Sequence, residues 1–147
     1  MEPPEGRLVP YPAGFTRMIL LDTHAMIWFL GSPERLSATA RSELMQAVKD
    51  GEQIGYSAVS IFEIAFAVHR KRLLLTSTIE EFIAAIEKKL AEIPLSAAIS
   101  MSAANLPEPF YGDPMDRMIA ATAIVRNCTL ITQDARIRNS KLCKTLW

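Results

Sequence analysis

Long apolar runs are missing from this 147-residue chain, although half of its residues are hydrophobic. The longest, such as residues 25–30, are hemmed in by Asp22, His24 and Gly31. They fall far short of the roughly 20 residues that a membrane span needs. Cysteine is scarce. Cys128 and Cys143 form no C-x-x-C pair, and with only His24 and His69 beside them no zinc-ligand spacing arises. A reduced, cytosolic protein is the expectation. A charge bias is lacking too: 16 basic and 16 acidic residues leave no formal net charge. The field of the whole molecule therefore does not recruit nucleic acid, and any such binding needs a local patch. The first 17 residues lack a basic start followed by an apolar stretch, so no signal peptide is expected.

What is present points to one domain. A chain of this size buries about two-thirds of its unfolded surface, enough for a real core. Residues 1–17 (MEPPEGRLVPYPAGFTR) hold four of the nine prolines and two of the six glycines, which favours an extended tail. The domain is expected to span 18–147. Met18 is a candidate natural start, an idea that intact-mass detection of the tail in native protein excludes.

Along the chain, helix-like and strand-like segments alternate. Residues 17–21 form an apolar run suited to a strand buried on both faces, and 25–30 read as a short helix ending at Gly31. Residues 37–49 are helix-forming, with Asp50-Gly51 as a stop. A second strand is expected near 54–57, then a helix in SIFEIAFAVHRKR, where Ile61, Ile64, Ala65 and Val68 recur at helical spacing. An amphipathic helix over 78–91 precedes a strand at 92–95, helices at 96–104 and 115–126, a strand at 129–132 and a last one at 143–146. Strands separated by helices imply an α/β domain: a mostly parallel sheet of four to five short strands with helices on both faces.

In such a sheet, function gathers at the carboxyl ends of the strands, where the strand order reverses. Acids are expected at four strand-to-helix junctions: Asp22 after MILL, Glu63 after GYSAVS, Asp116 in GDPMDRMIAATA with Asp113 just ahead, and Asp134 after TLITQ. Each has a capping explanation. Asp22 or Thr23 can cap a helix, Ser60-x-x-Glu63 matches a capping box, and Asp113-Pro114-Met115-Asp116 reads as cap, N1 proline and acid at N3. Asp134 can begin a short terminal helix. Caps alone, however, would scatter over both ends of a sheet, whereas these acids should share one edge and raise one another's pKa. A divalent cation relieves that repulsion. Oxygen ligands without a nearby cysteine or histidine pair select a hard ion, Mg²⁺ or Mn²⁺, and such an ion suits phosphoester hydrolysis by a water it activates.

The segments LLDTHAMIWFL, SAVSIFEIAFA, DPMDRMIAATA and LITQDARI resemble, in order, the four signature blocks of PIN-domain ribonucleases, specifically the VapC-type toxins of toxin–antitoxin pairs. The resemblance runs from Met18 to near the C-terminus. It implies a three-layer α/β/α PIN-like domain and a Mg²⁺-dependent endoribonuclease whose metal ligands and catalytic acids are Asp22, Glu63, Asp116 and Asp134. The products it implies carry 5′-phosphate and 3′-hydroxyl ends. It further implies a VapB-like antitoxin partner, a homodimer, and promoter DNA binding only through the antitoxin complex. Helices 25–30 and 37–48 are the expected antitoxin docking surface.

Supporting roles are expected nearby. Asp113 is read as a helix cap or outer acid, and Thr132 and Ser60 as hydrogen-bond partners of the ligating carboxylates or of a metal-bound water. Arg117 reaches either a site carboxylate or phosphate, or is a surface residue. Arg136, Arg138 and Lys141, with Lys144, offer either a local RNA-binding charge or a solvated end. His24 is expected to be packed and hydrogen-bonded rather than catalytic, His69 to be a solvated helix end, and Trp28 and Phe29 to serve core or subunit contacts. Three rivals remain. A haloacid-dehalogenase-type phosphatase needs a second aspartate where His24 stands. An inactive binding module predicts no tight Mg²⁺ binding, and a DNA-directed nuclease differs only in its response to the 2′-hydroxyl.

Overall fold

β1 (Met18–Leu21) is the central strand, and all four of its side chains are buried. Met18 and Leu20 turn to one face of the sheet and Ile19 and Leu21 to the other, as the two-residue period of a strand requires. The computed structural model describes residues 18–107 and 113–147. The expected tail over 1–17 lies outside the described residues.

After β1 come α1 (Thr23–Gly31), a 3-10 turn (Pro33–Arg35), α2 (Ala38–Lys49), β2 (Gln53–Ser57), α3 (Ala58–His69) and α4 (Ile79–Lys89). The chain continues through β3 (Ala91–Ile93), α5 (Ala97–Ala104), α6 (Pro114–Arg126), β4 (Thr129–Ile131), α7 (Ala135–Ser140) and β5 (Thr145–Leu146). All strand pairs are parallel, in the order β3-β2-β1-β4-β5. The order therefore reverses at β1, with β2 on one side and β4 on the other. Crevices form at such reversals, outside the carboxyl ends of the strands.

Two apolar layers sandwich the sheet. Leu20 and Leu130 pack with Ile99, Ala103, Ile119, Ala120 and Ile137 from α5, α6 and α7. On the opposite face, Ile19, Leu21 and Ile131 pack with Ala25, Met26, Leu44 and Ile86 from α1, α2 and α4. The three-layer α/β/α arrangement is as expected. Gly55 in β2 matters for close approach: a Cβ there would lie 2.7 Å from Met18 Cε and 3.1 Å from the Ala91 carbonyl oxygen. Among the described residues, no helix is long and apolar enough to cross a membrane.

Several boundaries differ from expectation for local reasons. α1 starts at Thr23 rather than 25, because the Asp22 carboxylate accepts the Ala25 N–H and caps it. α3 starts at Ala58 with Ser57 as its cap, so the Ser60–Glu63 capping box does not form. β3 ends at Ile93, before Pro94, which has no N–H to continue a ladder. The last strand is only Thr145–Leu146. Among the described residues the element before α6 is the helix α5, so Asp116 is not seen at a strand-to-helix junction. It reaches the same edge because a left-handed turn at Asn127 (φ 50°) sends the chain straight into β4. The helix thus runs antiparallel to β4, with its N-terminus beside the strand's carboxyl end.

Candidate active site

Asp22 is fixed on both carboxylate oxygens. Oδ1 accepts the Ala25 N–H at 2.7 Å, and Oδ2 accepts the Thr132 hydroxyl. Its own N–H donates to the Ile131 carbonyl at 3.1 Å, extending the β1–β4 pairing to the acid itself. Thr132 also accepts the Asp134 N–H at 3.0 Å. One buried hydroxyl thereby ties the acid after β1 to the acid after β4.

Glu63 has a separate support. Thr23 Oγ1 donates to its Oε1 at 2.7 Å and lies 2.9 Å from Ser60 Oγ. Since a threonine has one hydroxyl proton, and that one goes to Glu63, Ser60 must donate to Thr23. Ser60 therefore acts through Thr23 and not directly on the carboxylate. In the sequence Thr23 is legible only as a candidate cap, a role that Asp22 takes; its support of Glu63 depends on tertiary placement.

Asp113 caps α6, accepting the Asp116 N–H at 2.9 Å, with Pro114 in the first turn. Asp134 caps α7, accepting the Arg136 N–H at 2.8 Å. Arg136 then reaches across: one terminal nitrogen lies 3.1 Å from Asp116 Oδ2 and 3.2 Å from Asp134 Oδ2.

These side chains line one cleft of about 780 Å³, whose wall includes Asp22, Glu63, Asp113, Asp116, Asp134 and Arg136. Burial pushes the Asp22 and Glu63 carboxyls above their ordinary values. Burial, then the charges of Asp113, Asp134 and Glu63, push Asp116 from 3.8 up to about 7, against the pull of Arg136. Asp134 goes the other way. Burial pushes it up, but hydrogen bonds from the Arg136 side chain and backbone outweigh that and hold it low.

Other expected site residues take different places. Arg138 and Lys141 are exposed and absent from the cleft wall. Arg35 lines the cleft instead, its guanidinium 4.9 Å from the Trp28 ring centre, and nothing in the sequence reading pointed to it. His24 is exposed on the cleft wall and not packed; its ring centre is 5.8 Å from that of Trp28. Trp28 in turn tilts against Trp147 at 5.8 Å. Arg117 donates to the Ala103 and Ala104 carbonyls at 3.0 and 3.3 Å, tying α6 to the end of α5. His69 is an exposed helix end, as expected.

The donor set consists of carboxylate and hydroxyl oxygens and suits a hard cation. Among the described residues, no group of three His, Cys, Asp or Glu side chains is assembled to hold a metal ion directly. An ion there would keep several of its waters, as Mg²⁺ commonly does.

The chain is 31% identical over 123 residues to the protein named Ribonuclease VapC22 from Mycobacterium tuberculosis, covering 84% of this chain and 92% of that one. Its fold is similar to a chain of VapBC2 from Rickettsia felis, a structure bound to a promoter DNA fragment (TM-score 0.65, 18% identity, 88% of this chain and 98% of that chain). It is also similar to a chain of DNA-bound VapBC from Salmonella typhimurium (TM-score 0.64, 14% identity, 88% and 96%). The PIN domain family model matches residues 19–141, and this chain belongs to that family.

Proposed function

We propose that this protein is a Mg²⁺-dependent endoribonuclease, the toxin of a toxin–antitoxin pair. The observation that carries the reading is the convergence of Asp22, Glu63, Asp116 and Asp134 on one cleft at the switch point of the sheet. Three of them sit where burial and mutual repulsion disfavour their charge. Such an arrangement is unfavourable on its own and becomes favourable around a divalent cation. The likeness to a protein named as a ribonuclease supplies the substrate class.

Asp22, Glu63, Asp116 and Asp134 would hold the cation, Mg²⁺ or Mn²⁺. When bound, it supplies a lowered water pKa and charge compensation at the leaving oxygen. The protein's own part is positioning. Thr132 aims Asp22, the Ser60–Thr23 relay aims Glu63, and Asp113 sets the first turn of α6 that carries Asp116. The reading is in-line attack on phosphorus by water, with no covalent enzyme intermediate.

A VapB-like antitoxin belongs to the same reading, supported by the toxin–antitoxin complexes among the fold neighbours. Of the docking helices, residues 27–30 of α1 are half-buried against the core, while Met45 and Val48 of α2 are exposed apolar side chains. A homodimer, promoter contact through the antitoxin complex and a cytoplasmic setting complete the proposal. It is tested by incubating purified protein with single-stranded RNA and the matched DNA strand, with Mg²⁺ or with chelator. RNA cut only with Mg²⁺, leaving 5′-phosphate ends, is the expected result. Cleavage that survives chelation, or DNA cut in preference to RNA, overturns it.

A further inference from the structure

The guanidinium of Arg136 stands where a cation shared by Asp116 and Asp134 would compete with it. Its terminal nitrogen lies 3.1 Å from one carboxylate and 3.2 Å from the other, and its side chain is 60% exposed against 20% and 23% for its partners. The backbone that carries it is held by a different oxygen, since its N–H donates to Asp134 Oδ1, the cap of α7, while the guanidinium meets Oδ2. A long side chain on a fixed mount, mostly in solvent, can leave without disturbing the helix.

We propose that Arg136 is a displaceable internal counter-ion: it holds Asp116 and Asp134 together in the metal-free protein, yields them to a divalent cation, and once freed binds a phosphate of the nucleic acid backbone. The inference rests on the cleft being a cation site. Two observations set Arg136 apart from the other basic residues near the C-terminus. Arg138 and Lys141 are exposed and outside the cleft wall, whereas Arg136 is part of it. And the acids it bridges come from different elements, α6 and the start of α7, so one side chain links the two sides of the cleft. A guanidinium suits both roles, because it is permanently charged and its planar donors match carboxylate and phosphate alike.

The test is a calorimetric Mn²⁺ titration of the full chain and of Arg136→Gln, with the KM for a single-stranded RNA measured alongside. Removing a competing cation should tighten Mn²⁺ binding about three- to tenfold, while removing a phosphate ligand should raise the KM. The two changes run in opposite directions, which a merely structural residue would not produce. Arg136→Lys, which keeps the charge but not the planar fork, should bind Mn²⁺ with an affinity between those of the parent and the glutamine variant. Unchanged or weaker Mn²⁺ binding by Arg136→Gln overturns the counter-ion role, and an unchanged KM overturns the phosphate role. If the folded parent itself binds no Mn²⁺, the cation-site reading fails and takes this inference with it.

Discussion

Thr23 has one proton to donate and two oxygens against it, and both bonds are short. Thr23→Val keeps the shape and removes the hydroxyl, leaving Ser60 and Glu63 without that partner in a mostly buried setting. The expected stability loss is about 1–3 kcal/mol, read by urea unfolding. RNA cleavage should fall about 10- to 100-fold, the usual effect of losing a residue that orients a ligand. No change in either quantity contradicts the relay. The placement of Asp22, Glu63 and Asp134 near the carboxyl edge was legible in their positions after expected strands, and that of Asp116 in its D-P-M-D-R motif. The roles of Thr23 and Arg35 were not: one is legible only as a candidate cap, and the other reaches the cleft only through the tertiary placement of the 3-10 turn.

At the scale of elements, the cleft is assembled by helix starts. Asp22, Asp113 and Asp134 are all caps, and all three also line the cleft. Capping uses one oxygen of each carboxylate; the second oxygen of Asp22 accepts the Thr132 hydroxyl, and that of Asp134 meets the Arg136 guanidinium. For Asp113 the roles can be separated. Asp113→Asn keeps a good cap and should leave stability nearly unchanged, whereas Asp113→Ala should lose about 1 kcal/mol in thermal unfolding. Equal stability of the two variants contradicts the capping role. The order of strands and helices could be read from apolar periodicity. The start of α3 could not, since Ser57 and Ser60 are both plausible caps and packing against Thr23 claims the second. Nor could the placement of α6, which among the described residues is preceded by the helix α5 and not by a strand.

For the whole molecule, the acid cluster links stability to pH. The folded, metal-free protein keeps the Asp116 proton up to about pH 7, while the unfolded chain releases it near 3.8. Between those values the folded state binds more protons, so this contribution to stability is full at the acid end and is lost as pH rises towards 7. Asp22 and Glu63 shift in the same direction. Asp134 is shifted downward, and its contribution is lost only as pH falls below its ordinary value, outside that window. The melting temperature of chelated protein should therefore fall between about pH 5 and 7.5, and Asp116→Asn should flatten the slope. Added Mn²⁺ should raise the melting temperature more at the upper pH, where protons no longer compete for the carboxylates. A slope identical in the variant contradicts the assignment. The most direct test of the central claim is the rate of RNA cleavage by purified Asp22→Asn protein beside its parent at saturating Mg²⁺, with both shown to be folded by their melting curves. The account predicts at least about a hundredfold loss with the fold intact; a variant that cleaves as fast as the parent contradicts it.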